Sequence, residues 1–162
     1  MSTRASIIIK ESYSYNDAKG KEINVTNQLF FYRHSDGYPD GAMPTLNIFM
    51  EWLKSGKIRT DLQQASGWLI LLGAMEYNTI PSFDLEPPFR EGAKQYGNTE
   101  TIKEPADWKV GSYEPTTEIH GDIEFLYVIE LDKKTITCYD SWDEKTGKGK
   151  HKVELTTLTV NQ

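Results

Sequence analysis

Apolar positions first gather at Ile7-Ile8-Ile9, inside a β-branched run from Arg4 to Lys10 that predicts a first strand. The polar stretch Asn16-Asp17-Ala18-Lys19-Gly20 ends the pattern, and Lys21 to His34 resumes it as a second strand. There Ile23, Val25, Leu29, Phe31 and Arg33 fall on odd positions, Phe30 and Tyr32 on even ones, and Asn27 breaks the odd series. Bulk on both faces predicts a central strand with a bulge near Asn27. Asp17 to Gly20 carries hairpin chemistry, so the two strands are expected to pair antiparallel.

The period then changes from two to that of a helix. Leu46, Phe49, Met50 and Leu53 make one apolar face behind Pro44-Thr45, and Ser55-Gly56 closes the segment. A second helix starts at Thr60-Asp61, with Gln63 or Gln64 placed for a capping box, and runs to Met75 along Leu62, Ala65, Leu69 and Leu72. Trp68, Ile70 and Leu71 make it apolar nearly all round. Such a helix needs cover beyond the sheet, either from the first helix or from a partner chain, and the second case makes the protein a homodimer.

Thr79 to Ala106 holds Pro81, Pro87, Pro88 and Pro105 with few periodic apolar positions, which predicts a long loop. From Trp108 onward the pattern is β: Trp108 to Tyr113, Asp122 to Leu131, Thr135 to Tyr139 and Lys150 to Val160. Asp132-Lys133-Lys134 is a tight connection and Asp143 to Lys150 a longer hairpin. Ile123, Phe125, Tyr127, Ile129 and Leu131 share one face of the second of these strands, while Leu126 and Val128 add to the other, so it too is central. The fold class that follows is α+β, a mainly antiparallel five- or six-stranded sheet with two helices on one face. Helices occur only between strands two and three, which allows at most one parallel pair. At 162 residues the chain is one domain, 1–162.

Charge narrows the partners. Of a net charge of −6, the segment Lys103 to Glu144 alone carries eleven acids against four lysines, and the rest is nearly balanced. Without a basic footprint, nucleic acid is not an expected partner. A single cysteine, Cys138, excludes an internal disulfide and fits a reducing compartment. Lys10-Glu11 cuts off the first apolar run, and no stretch is long enough to span a bilayer, so the expectation is a cytoplasmic protein with no membrane partner.

Two polar clusters stand at strand ends. Phe30-Phe31-Tyr32 leads into Arg33-His34-Ser35-Asp36-Gly37-Tyr38-Pro39-Asp40-Gly41, whose Asp-Gly pairs read as turns that present Arg33, His34, Asp36 and Tyr38. His120-Gly121-Asp122-Ile123-Glu124 enters the other central strand. Were these ends neighbours, Arg33, His34, Asp36, His120, Asp122 and Glu124 would meet in one pocket. An arginine there suits a phosphate or carboxylate; the alternative is an ion pair to Asp36 or Asp122 that ties the loop down. His34 and His120 are the candidate proton carriers, or else satisfied surface and core histidines. Tyr38, Trp108, Tyr113 and Trp142 lie near polar or turn residues and suit stacking on a planar ligand, with core filling as the alternative. Metal-ligand spacing is poor, and no nucleophile elbow, phosphate loop or dinucleotide turn is present, so no metal and no cofactor is expected.

Thr3-Arg4-Ala5-Ser6, Tyr32-Arg33-His34-Ser35-Asp36-Gly37-Tyr38-Pro39-Asp40-Gly41, Trp108-Lys109-Val110-Gly111 and His120-Gly121-Asp122-Ile123-Glu124 together resemble a family of small phage and bacterial proteins. That family has a Thr-Arg-Ser start, from which Ala5 departs, and a Tyr-Arg-x-x-Asp-Gly-Tyr-Pro-x-Gly block. The resemblance implies a phage or prophage accessory protein acting in the host cytoplasm, without naming an activity. By analogy with small acidic phage proteins, the first functional expectation is a binder of a small nucleotide-like ligand, one that sequesters a cyclic-nucleotide or ADP-ribose defence signal. In it Arg33 grips a phosphate and the aromatics stack on a base. An enzyme using His and Asp on a phosphoester or glycosidic bond is the second, and an acidic inhibitor of a host defence protein the third.

Overall fold

The computed structural model describes residues 3–76 and 111–155. The proline-rich stretch Thr79 to Ala106, Trp108 and the end of the last expected strand lie outside them. The chain runs β1 (Ala5–Asn16), β2 (Glu22–Arg33), α1 (Pro39–Ser55), α2 (Leu62–Met75), β3 (Glu114–Thr116), β4 (Phe125–Glu130), β5 (Thr135–Tyr139), β6 (Trp142–Asp143), β7 (Lys148–Gly149) and β8 (Lys152–Val153). Six strands make one sheet in the order β3-β2-β1-β4-β5-β8, and β6 and β7 form a separate ribbon. Every neighbouring pair is antiparallel except β1 with β4. The fold is α+β, and its one parallel pair spans the helical crossover, as the placement of the helices requires.

β1 and β2 pair without a break from Ala5↔Arg33 to Asn16↔Glu22, so Asn27 sits in a regular ladder and makes no bulge. Its amide donates to Glu11 on the facing strand at 3.1 Å, which replaces the apolar contact the odd series lacks there. β2 is not central along its length. Among the described residues β3 borders it only at Phe30 to Tyr32, and β4 borders β1 only at Ala5 to Lys10. The outer half of the hairpin therefore stands beyond the sheet, with Tyr13 and Tyr15 each half exposed. Asp17 closes its turn by accepting the N–H groups of Lys19 and Lys21.

α1 begins earlier than the apolar period indicates. Pro39 occupies its first turn, where a preset φ and a missing donor cost nothing, so Asp40-Gly41 is helix and not a turn. Gly41 is needed for closeness: a Cβ there would lie 2.5 Å from the Asp36 carbonyl oxygen. Gly56, at φ 78°, ends the helix in the left-handed conformation. Asp61 caps α2 by accepting from Gln64 N at 3.1 Å. The second cap comes from across the fold, where Glu11 Oε1 accepts Leu62 N at 3.0 Å, in place of a glutamine of the helix itself.

Both helices lie on the face of the sheet that carries the odd positions of β1 and β2. Ile7, Ile9, Phe31, Leu46, Phe49 and Leu69 are among the fully buried side chains of that layer. α1 supplies the further cover that α2 requires, Trp68 meeting Trp52 edge-on at 5.7 Å between ring centres. Ile8, Tyr32, Ile123 and Leu126 form a second apolar layer on the opposite face. Of the expected strand Trp108 to Tyr113, the described residues 111–113 are not strand, Ser112 N donating instead to the Gly73 carbonyl at 3.2 Å, and β8 holds two residues. No helix among the described residues is long and apolar enough to cross a membrane.

Tyr127 joins layers that the backbone leaves separate. Its buried hydroxyl donates to the Gly37 carbonyl at 2.7 Å, holding the loop after β2 against β4. Tyr127→Phe leaves that carbonyl without its donor and is expected to lower stability by about 1–3 kcal/mol in urea unfolding. An unchanged midpoint would mean that water takes the donor's place.

Burial also fixes the alkaline limit of the fold. It pushes Tyr113 up to about 12 and Cys138 up to about 12, and it raises Tyr127 further, with Cys138 adding to that rise. These groups stay protonated in the fold at a pH where the unfolded chain has lost its protons. Their contribution is complete below the ordinary values of 9.0 and 10.0 and is lost as pH rises toward 12. Unfolding midpoints are expected to be level from about pH 6 to 8 and to fall above about pH 9. Native Cys138 should resist alkylation at neutral pH and react fully in denaturant, since the attacking species is the thiolate.

Candidate functional site

Side-chain alternation separates the residues that the sequence groups together. Arg33 is an odd position of β2 and points under the helices, where it is 2% exposed. Its guanidinium donates to both oxygens of Glu76, at 2.9 and 3.2 Å, while Nε reaches the carbonyls of Ser35 at 2.8 Å and Asp36 at 3.2 Å. It also lies 5.2 Å from the centre of the Tyr113 ring. The expectation that Arg33 grips a ligand phosphate is corrected: this arginine is a tie between β2, its loop and the end of α2. The ion-pair alternative holds, with Glu76 as the carboxylate instead of Asp36 or Asp122.

The rest of the Asp-Gly-Tyr-Pro block is structural for the same reason. A Cβ on Gly37 would lie 2.7 Å from Ala5 Cβ, and the Gly37 N–H donates to the Thr3 carbonyl at 2.9 Å. Asp36 adopts a positive φ of 55° and gives its carbonyl to Arg33. Tyr38 precedes α1 and is 41% exposed.

His34, His120 and Asp122 do come together, on the sheet face opposite α1 and α2. Tyr32 is their hub: its hydroxyl lies 3.0 Å from His34 Nδ1, and its ring stacks on His120 at 4.0 Å with 15° between planes. His120 Nε2 is 3.3 Å from Thr116 Oγ1, and Asp122 pairs with Arg4 at 3.3 Å. Burial, with the Asp122 carboxylate behind it, holds the Tyr32 hydroxyl above its ordinary 10.0.

The segment that carries His120 is also one wall of a groove of about 630 Å³ on this face. Its floor is read directly from the register. Ile8 pairs with Phe30 and Lys10 with Gln28, so an apolar row lies beside a polar one, about 7 Å away at two residues along the strands. Glu118, Ile119 and Gly121 make one wall. The β6–β7 hairpin makes the other, with Trp142, Glu144 and Lys148. The walls meet where Glu144 Oε1 comes within 3.5 Å of a Cβ built on Gly121, and Ile119 Cδ1 within 3.7 Å of one built on Gly147.

Local sequence dictates the hairpin. Asp143 accepts Gly147 N at 2.7 Å through its carbonyl and Lys145 N at 2.9 Å through its side chain, and Gly147 takes a φ of 70°. Trp142 is half-buried against the second apolar layer, which leaves part of the indole for the groove. Chemically the lining holds two ammonium groups, two carboxylates, an amide and a hydroxyl beside two aromatic rings, with no cysteine, serine or histidine. Among the described residues no three His, Cys, Asp or Glu side chains gather as a metal ion would require.

Of the residues singled out in the sequence, Trp142 lines this groove, while His120 lies between the lining residues Ile119 and Gly121 and is itself turned to Tyr32 and Thr116. Lys10, Gln28, Glu118 and Glu144 were not among them. Alternation puts Lys10 and Gln28 on one face with Ile8 and Phe30, but it does not say that a distant hairpin roofs them. The chain matches no family model, no curated protein and no solved structure.

Proposed function

We propose that this protein binds a small ligand that has a planar ring and an anionic group, held in the groove on the sheet face opposite α1 and α2. The carrying observation is the floor beneath Trp142, an apolar Ile8–Phe30 row followed by the Lys10–Gln28 row. A ring inserted between Trp142 and Phe30 gains stacking and apolar cover, and an acidic group displaced by one row reaches the Lys10 ammonium. A nucleotide has both parts at a comparable separation. The resemblance to phage and prophage proteins extends the proposal to sequestration of a nucleotide-like defence signal in a host cell.

Calorimetry with nucleotides tests this reading. Trp142→Ala is expected to weaken binding by about tenfold or more, as stacking of one base contributes about 1–3 kcal/mol. Lys10→Ala should weaken it while leaving a nucleoside unaffected. Binding that survives both substitutions would place the ligand elsewhere.

A second reading, an enzyme, rests on the His34–Tyr32–His120 cluster beside the same wall. Turnover of a bound phosphoester, abolished by His120→Ala with binding retained, would decide for it.

A further inference from the structure

Within the ligand-binding reading above, and resting on it, we infer that the groove selects a phosphodiester, with its single negative charge, over phosphomonoesters and polyphosphates. The charges around the groove carry this. Lys10 and Lys148 are matched by Glu118 and Glu144, so the lining is formally neutral within a chain of net charge −6.

One negative charge is met by Lys10 on the floor. The acid beside Lys10 in the sheet, Glu130, is turned to Lys133 at 3.4 Å, and the other neighbour is the neutral Gln28. A second or third negative charge finds Lys148 only in the company of Glu144, which follows Asp143, the residue paired with Lys148 across the hairpin, and meets Glu118 on the opposite wall. A phosphomonoester carries about −1.5 to −2 at neutral pH, and polyphosphates carry more, so each repels these carboxylates where a diester does not.

The carboxylates have a use of their own. They accept hydrogen bonds from the exocyclic amines and hydroxyls of a nucleotide, and such charge-assisted bonds are strong in a partly enclosed site. The occupant that satisfies the groove is therefore rich in N–H and O–H donors and poor in negative charge, as a cyclic nucleotide is. A volume of about 630 Å³ holds a ligand of that size.

The test is calorimetry at low ionic strength with 3′,5′-cyclic nucleotides of the four common bases, the matching 5′-monophosphates and triphosphates, and the nucleosides. For at least one base, the cyclic form is expected to bind about tenfold or more tightly than the other three, a ratio set by charges partly screened by solvent. Glu118→Gln with Glu144→Gln should narrow or reverse the gap by raising the affinity for the monophosphate and triphosphate. Lys10→Met should remove the advantage of the cyclic form over the nucleoside. Tighter binding of a monophosphate or triphosphate to the wild type overturns the inference and leaves the groove reading standing. Equal binding of the nucleoside also overturns it, and absence of binding by the whole set overturns both.

Discussion

Arg33→Ala is expected to destabilise the fold by about 3–5 kcal/mol, the cost of leaving one half of a buried ion pair alone. The group that loses its partner is Glu76, itself 7% exposed at the end of α2. Its two oxygens would have to be protonated or hydrated inside the protein, and the Ser35 and Asp36 carbonyls would lose their donor. Because the loop after β2 is held by Arg33 on one side and by Tyr127 on the other, loss of the arginine should also loosen Gly37 and the start of α1. Urea unfolding measures the cost directly. The paired change Arg33→Met with Glu76→Leu removes both charges and should recover much of the loss, since a buried pair is often replaceable by apolar side chains of similar volume. A single variant with an unchanged midpoint, or a paired variant worse than the single one, would show that the pair is not what holds this corner. At the groove the same variant should have no effect on nucleotide affinity once it is folded, because Arg33 faces the other side of the sheet.

The second large effect is expected at Gly149. A Cβ built on Gly149 would run into the Tyr139 ring. Gly149→Val must push β7 away from β5, at about 1–3 kcal/mol for an overpacked contact. Trp142 pairs with Gly149 across the ribbon, so the indole moves with it. Ligand binding should then fall at least as far as in Trp142→Ala, while the helix-side core keeps its native circular dichroism. A variant that binds normally would mean that the ribbon adjusts without shifting Trp142. This result bears on the groove alone: Tyr139 belongs to the second apolar layer, and the packing of α1 and α2 on the sheet does not pass through it.

Much of the scaffold was legible because it depends on short-range pattern. The hairpin at Asp17 to Gly20, the two helices and their order, the glycine stop at Gly56 and the two strands around Asp132-Lys133-Lys134 all follow from periods and turn residues within a few positions. Errors came where distant chain segments intervene. α2 is capped in part by Glu11 from another strand, whereas the start of α1 at Pro39 rests on a local signal, a proline in the first turn, that the apolar period does not carry. β2 is bordered on one side only along three residues, which no property of β2 itself reveals. The Arg33 misreading is different in kind. Alternation already set Arg33 on the face of Phe31 and His34 on the face of Tyr32, and it was the chemistry of the loop that suggested they act together.

By itself the sequence determined the local geometry: which segments extend or coil and which faces are apolar. Tertiary structure alone decided the partners. It gave the buried guanidinium Glu76, stacked His120 on Tyr32, and folded the Trp142 hairpin over Ile8, Lys10, Gln28 and Phe30. The physical reason is range. Backbone preferences act over a few residues, whereas an ion pair between residues 33 and 76, or a groove built from residues 8 and 142, exists only after the chain has closed long loops.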